Sequence, residues 1–279
     1  MAGPVWLASY PKSGNTSLRL LLANLLGGRP RPEDINNLGL ATFSLVNRPV
    51  IEDLTLVDSF LLTGEECDRM RPSLMEEAWR EAADHDIFIK LHDAYCHLAD
   101  GTPLLGRPAR AALYVLRDPR DVAVSLAFHT GNPIDKAVRQ ILSGSTRMGG
   151  NKPHHEQVPQ PLRDWSGHVR SWTGQRDVPV HVLRYEDLHV DTAGIFGRAV
   201  AFLGLEATPD EVARAVRQSD FSELQSQEAA KGFRERRPES TAPFFRAGRV
   251  GGWRDVLTSD QAATIEATHG MVMTEFGYL

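Results

Sequence analysis

Cysteine is scarce: the 279 residues hold two, Cys67 and Cys96. Two thiols build no disulfide framework, so a reducing, cytoplasmic setting is expected. Long apolar runs are missing as well. No stretch approaches the roughly 20 residues that cross a bilayer. Residues 1–25 also lack the cationic start, apolar middle and small-residue cleavage site of a secretion leader. Excess basic charge is absent: the formal net charge is −5. That gives no support for bulk attraction to nucleic acid or anionic membrane, while local basic patches stay open. No repeat, low-complexity tract or linker divides the chain, so residues 1–279 are expected to form one domain. At 42% hydrophobic and 24% charged, the composition is ordinary for a globular protein with a sizeable core.

What is present is an alternation. Short apolar runs, partly β-branched or aromatic, lie at Val5–Tyr10, Ile87–Leu91, Ala112–Leu116 and Val180–Tyr185. They are too short for helices and read as buried strands. Helical patterns separate them. Leu18–Leu26 follows the first strand, and Gly27 can close it. Asp118 suits an N-cap with Pro119 at the first helical position, continuing through Val122–Phe128. Thr208 with Glu211, and Thr258 with Gln261, read as capping boxes. Strands alternating with helices predict an α/β layer on a parallel sheet. Two irregular stretches stand out. Gly131–Leu162 is rich in Gly, Pro, His and Asn, with a short helix possible at Ile134–Leu142. Glu228–Val250 is rich in Arg, Gly and Pro. Loops of that length inside a compact domain are usually lids or disordered.

The stretch Tyr10-Pro11-Lys12-Ser13-Gly14-Asn15-Thr16 joins the first strand to a leucine-rich helix. Ligands of open α/β sheets bind beyond the carboxyl ends of the strands. The first N–H groups of a helix lack intrahelical partners, and its dipole adds positive charge. Gly14 permits close approach, Lys12 adds a full charge, and Ser13 and Thr16 add hydroxyls. The combination suits an anion, phosphate above all. The bland alternative is a helix entry with an exposed lysine. The GxxxxGK[ST] pattern is missing because the lysine precedes the glycine, which disfavours an ordinary nucleoside triphosphatase.

The other strand ends carry Lys90-Leu91-His92, Arg117-Asp118-Pro119-Arg120-Asp121 with Ser125 beyond, and Arg184-Tyr185-Glu186-Asp187. In a parallel sheet these would share a crevice with Lys12, and alternation points Lys90 and His92 the same way. Cations, a histidine and a tyrosine suit a multiply anionic nucleotide and one proton transfer. Singly, each has a plainer reading. His92 can be a hydrogen-bonded structural histidine, Arg117 can bridge Asp121, and Tyr185 can be a core aromatic.

The segments YPKSGNTSLRLLL, FIKLH, YVLRDPRDVAVSLAFH, RYEDL and FRAGRVGGWRDVLT stand in an order and spacing that resemble the sulfotransferases using 3′-phosphoadenosine 5′-phosphosulfate (PAPS). The likeness is to their soluble, cytosolic type and reaches from Val5 to about Leu257. It implies a three-layer α/β sandwich on a central parallel sheet, similar to P-loop nucleotide kinases. It also implies lid or acceptor loops at 131–162 and 228–250. PAPS would be the sulfonate donor, and 3′-phosphoadenosine 5′-phosphate (PAP) the product. No metal would be required, because Lys and Arg supply the positive charge. The acceptor would be a hydroxyl on a small molecule or glycan, and a homodimer stays open. The Arg- and Ala-rich composition is associated with GC-rich bacteria, and through them with natural-product tailoring.

By the same resemblance, Lys12, Ser13, Gly14, Asn15, Thr16 and Ser17 would wrap the 5′-phosphosulfate, with Lys12 offsetting charge on the departing oxygen. Arg117 and Ser125, eight residues apart, would hold the 3′-phosphate together with Arg246, Ala247 and Gly248. Tyr185 would contact adenine, Phe221 would lie along the base, and Ser219 would occupy the place of a small hydroxyl residue. His92 would be the general base and Lys90 would help with sulfonate charge. The chemistry is consistent with these residue types. In-line group transfer asks mainly for positioning and charge, and an imidazole near its usual pKa of about 6.5 can take a hydroxyl proton at neutral pH. Two positions depart from the family pattern. Ser17 stands where Trp is common, and Ala247 stands where Lys is usual, leaving Arg249 as the substitute at hand. Both bear on donor affinity.

Other readings remain in view. A small-molecule kinase using Mg-ATP and a non-catalytic nucleotide-binding protein are the alternatives. His92, Cys96, His97, His154 and His155 raise a metal site, with His92 and Cys96 spaced for one helix face but no second dense ligand pair. His154-His155 would be solvated or acceptor-facing. Trp165 and Trp172 would be core residues of a helix. Arg234, Arg236 and Arg237 would form a solvated face or steer an anion.

Overall fold

The computed structural model describes residues 2–150 and 156–279. The His154-His155 pair lies outside them. The chain runs β1 (Pro4–Ser9), α1 (Asn15–Gly27), α2 (Arg48–Thr55), α3 (Gly64–Glu81), β2 (Ile87–Leu91), β3 (Ala111–Leu116), α4 (Pro119–Thr130), α5 (Ile134–Leu142), β4 (Arg147–Met148), β5 (Gln160–Pro161) and α6 (Trp165–Thr173). It continues through β6 (Val180–Arg184), α7 (Tyr185–Val190), α8 (Thr192–Phe202), α9 (Pro209–Gln218), α10 (Phe221–Lys231), a 3₁₀ turn (Gly252–Asp255) and α11 (Ser259–Glu275).

A central four-stranded sheet has the order β2-β1-β3-β6. Strands β1 and β2 pair in parallel, from Pro4 opposite Ile87 to Ala8 opposite Leu91. Every residue of β1 and β3 is buried. Continuous apolar runs of this kind belong to strands covered on both faces. With its helices the sheet makes the expected α/β fold. Strand ends fall within one residue of the sequence expectation.

The capping chemistry is as read. Asp118 accepts from the Arg120 N–H ahead of Pro119. Thr208 with Glu211, and Thr258 with Gln261, close reciprocal boxes. Helix α1 differs at both ends. It opens at Asn15 because the buried polar residues Asn15 and Thr16 form its first turn, where an apolar pattern gives no mark. It closes at Gly28, which takes the left-handed conformation at φ 62°. Gly27 stays helical and leaves room for Glu33, whose Oε1 would lie 2.4 Å from a Cβ there.

The chain packs as two compact units. The first comprises residues up to Tyr10, Ala41–Tyr114 and Ser143–Val182. Its core includes Trp6, Trp165 and Trp172, all fully buried, the last two on α6 as expected. Strands β4 and β5 form a small antiparallel pair within the stretch 131–162. The second unit comprises Pro11–Leu40, Val115–Leu142 and Leu183–Leu279. Here α5 forms at the expected residues. The segment after α10 is pinned by buried Phe233 and Phe245, which pack with Leu20, Ala23, Ile35, Leu38 and Leu224. Among the described residues no helix is long and apolar enough to cross a membrane.

Candidate active site

In the second unit, the loop entering α1 is held in an unusual backbone. Lys12 sits at φ 70° and Gly14 at φ 108°. A left-handed lysine costs about 1–2 kcal/mol, and such strain collects at ligand loops. Only glycine fits at 14, since a Cβ there would lie 2.6 Å from Tyr185 Cδ2. No side chain caps the N-terminus of α1. Ser13 is 1% exposed, and its Oγ is buried with no hydrogen-bond partner. A buried hydroxyl without a partner costs about 1–3 kcal/mol. Ser13 therefore lacks a polar group that a bound anion would supply.

Three cations of this unit are seated on aromatic faces. Lys12 Nζ lies 3.8 Å from the Phe244 ring centroid, Arg117 Cζ 4.3 Å from that of Tyr185, and Arg246 Cζ 4.3 Å from that of Phe128. An aromatic face gives a cation a fixed seat. Arg117 also donates to the Lys12 carbonyl and to the Arg249 carbonyl, each at 3.2 Å. Burial lowers the pKa of Arg246, and the like charges of Arg249 and Arg117 lower it further. Guanidiniums that crowd one another are stabilised by an intervening anion.

The remaining expected donor residues are in the same unit. Ser125 is half-buried on α4, one turn beyond Asp121, which lies 4.0 Å from Arg117. Asn15 and Thr16 are buried in the first turn of α1, and Ser17 is half-buried after them. Phe221 lies against the backbone of Gly248, where a Cβ would meet its ring at 2.6 Å. The Ser219 hydroxyl accepts from Asn24 Nδ2 at 2.9 Å. Ala247 is half-buried, and Arg249 pairs with Asp255. This donor set, with its cations, hydroxyls and one unpartnered buried Oγ, fits a phosphorylated nucleotide.

Lys90 and His92 belong to the first unit, at the end of β2. His92 Nδ1 lies 2.9 Å from the Ser9 carbonyl oxygen. A carbonyl only accepts, so Nδ1 carries the proton and Nε2 holds the lone pair in the neutral ring. The His92 carbonyl accepts from His168 Nε2 at 3.1 Å, and the Tyr114 hydroxyl donates to His168 Nδ1 at 2.8 Å. Burial drives His168 down to about 3, so it stays neutral. The next residue is clamped as firmly. Trp172 Nε1 donates to the Asp93 carbonyl at 2.9 Å, and Arg71 grips the Asp93 carboxylate at 2.7 and 2.8 Å.

The helix-face spacing of His92 and Cys96 is not realised. His92 and Cys96 lie on an extended loop after β2, not on one helix face. Among the described residues no three His, Cys, Asp or Glu side chains gather to hold an ion. Arg234, Arg236 and Arg237 are exposed, in keeping with a solvated face.

Several contributors escaped the sequence reading. Glu235 accepts from Arg19 at 2.6 Å and from Thr16 Oγ1 at 3.3 Å, tying the segment after α10 to α1. Phe244 and Phe128 carry cations, and His168 holds the backbone of His92. Nothing local marks these residues, because their partners are distant in sequence. Asp121 was visible in the RDPRD stretch, but only as a partner for Arg117.

The sulfotransferase domain family model matches residues 2–277. Mouse sulfotransferase 2A2 is 27% identical over 168 residues, covering 59% of this chain and 57% of its own. The matched part thus spans little more than half of that relative. Cytosolic sulfotransferase 12 of Arabidopsis thaliana is 26% identical over 282 residues, 94% of this chain and 74% of its own. Among solved structures, retinol dehydratase in complex with androsterone and inactive cofactor PAP is similar, with TM-score 0.59 and 17% identity over 97% of this chain and 80% of its own. At that identity the likeness is one of fold.

Proposed function

The chain belongs to the sulfotransferase domain family, and from that premise we propose that it transfers a sulfonate group from PAPS to a hydroxyl group of a small-molecule acceptor. One observation carries the reading: Ser13 Oγ, buried and without a partner in the strained Lys12 loop, lacks an anion. When bound, PAPS supplies the sulfonate and leaves as PAP.

Each residue then has a task. Lys12 offsets the charge that grows on the leaving phosphate oxygen, and Ser13, Asn15, Thr16 and Ser17 hold the 5′ end of the donor. Gly14 lets that end approach the backbone. Arg117 and Ser125 take the 3′-phosphate, with Arg246, Ala247 and Gly248 closing on it. Tyr185 would contact the adenine, Phe221 would lie along the base, and Ser219 would supply a small hydroxyl. His92 accepts the acceptor's proton at Nε2 while Nδ1–H stays on the Ser9 carbonyl. Lys90 adds charge for the sulfonate. Positioning and fixed charge dominate such a transfer. The androsterone bound to retinol dehydratase supports a lipophilic hydroxyl compound as acceptor. The chain acts in the cytoplasm as one domain, with residues 131–162 and 228–250 shaping the acceptor side.

The test is transfer of ³⁵S from labelled PAPS to a panel of sterol, phenol, sugar and peptide hydroxyls. Label on an acceptor, unaffected by a metal chelator, supports the proposal. Absence of label from every acceptor and no binding of PAP would overturn it.

A further inference from the structure

An acidic side chain close to a phosphate site needs explaining. Asp121, in the first turn of α4, is 3% exposed and lies 4.0 Å from the guanidinium of Arg117. A carboxylate so placed would repel a 3′-phosphate and draw off part of the arginine's charge. Its hydrogen bonds point to another role. Oδ2 accepts from the Gly251 N–H at 2.7 Å, and Oδ1 accepts from the Trp253 N–H at 2.9 Å. Both oxygens are thus engaged by the backbone that follows Arg246-Ala247-Gly248. Gly251 is left-handed at φ 73° and opens the 3₁₀ turn Gly252–Asp255, so the carboxylate sits at the start of that turn. Charge-assisted bonds of this kind are roughly twice as strong as neutral ones.

The preceding residue adds a second attachment. Arg120 Cζ lies 4.2 Å from the Trp253 ring centroid. On the other side, Arg117 donates to the Arg249 carbonyl at 3.2 Å. Residues 117, 120 and 121 therefore hold the segment 249–253 by three different interactions. The same segment carries Arg249 and follows Arg246 and Gly248.

We propose that Asp121 is a positioning residue that anchors the Arg246–Trp253 loop to α4 and thereby builds the 3′-phosphate subsite, giving the protein its preference for 3′-phosphorylated adenine nucleotides. This rests on the proposed donor. Asp121 acts through the loop and does not touch the nucleotide. Its loss releases Arg246 and Gly248, while Arg117 keeps its bond to the Lys12 carbonyl and the loop that serves the 5′ end is disturbed less.

The test compares two nucleotides by calorimetry on the full chain: PAP, and adenosine 5′-phosphosulfate, which lacks the 3′-phosphate. Asp121→Ala should weaken PAP by roughly ten- to hundredfold, the scale of two lost charge-assisted bonds, and change the second nucleotide by less than about twofold. Asp121→Asn keeps one acceptor oxygen and should fall between wild type and Ala for PAP. Circular dichroism and the unfolding midpoint of Asp121→Asn establish that it folds. Equal weakening of both nucleotides, or no change in either variant, would overturn the proposal. Failure of the wild-type protein to bind PAP would instead remove the donor reading, and the subsite with it.

Discussion

Around His92, the groups that hold the ring and the residue after it are paired, although Tyr10 Oη and Trp6 Nε1 of the same unit are buried without partners. Nδ1 faces the Ser9 carbonyl, the His92 carbonyl faces His168, and the Asp93 carboxylate faces Arg71. Around Lys12, the second unit is built differently. Ser13 Oγ is buried without a partner, Lys12 is left-handed, and Arg246 is crowded by Arg249 and Arg117. A proton acceptor needs one ring held still in one tautomer, and a closed network provides that. An anion site needs charge and donors left available, at a cost in stability. On the proposed function, the first unit would take the proton and the second would hold the phosphates.

The strongest way to break that division is to remove the base. His92→Ala should lower turnover by about 10²–10⁴-fold, the usual worth of general-base catalysis, while the Kd for PAP shifts by less than about twofold. Near-normal turnover would take the role from His92. Lys12→Ala should lower kcat by about 10²–10³-fold, the scale of one lost electrostatic donor. Arg117→Ala sharpens the comparison from the other side. Its KM for PAPS should rise roughly ten- to hundredfold with kcat within a few fold, since its bonds position the donor. An unchanged KM would count against the 3′-phosphate role.

A fourth prediction concerns stability alone. His168 falls to about 3 when folded, against 6.5 in the unfolded chain. Below about pH 6.5 the unfolded state takes up a proton that the folded state refuses. The stability from neutral His168 is therefore full above that pH and drains away as the pH falls toward 3, at up to ~1.4 kcal/mol per pH unit. Between pH 7 and pH 5, wild type should lose about 2 kcal/mol more than His168→Gln in denaturant unfolding. Parallel losses would contradict the closed network. The smallest effect belongs to Ser17→Trp. Added aromatic surface on α1 should tighten PAP by only a few fold, because stacking on one ring face is worth about 1 kcal/mol.

The elements were legible where a local rule is strong. Runs such as Ala111–Leu116 are apolar throughout because both faces are covered. Thr208 and Thr258 announce their helices through the Glu or Gln three residues on. The start of α1 was not legible, because Asn15 and Thr16 are polar yet buried. The cations and His92 were visible as residue types at strand ends, whereas their supports were not. Phe244 beneath Lys12, Glu235 beside Thr16 and His168 behind His92 are separated from their partners by long stretches of chain. Asp121 shows the same limit most plainly, since its partners are the backbone N–H groups of Gly251 and Trp253.

The most direct measurement of the central claim is a calorimetric titration of the protein with PAP, run with and without a metal chelator and repeated with Mg-ATP. The expected outcome is a Kd of about 10 µM or tighter for PAP, the same in both buffers and weakened roughly ten- to hundredfold in Arg117→Ala, with Mg-ATP binding far more weakly. No heat from PAP, or chelator-sensitive binding of Mg-ATP in its place, would contradict it.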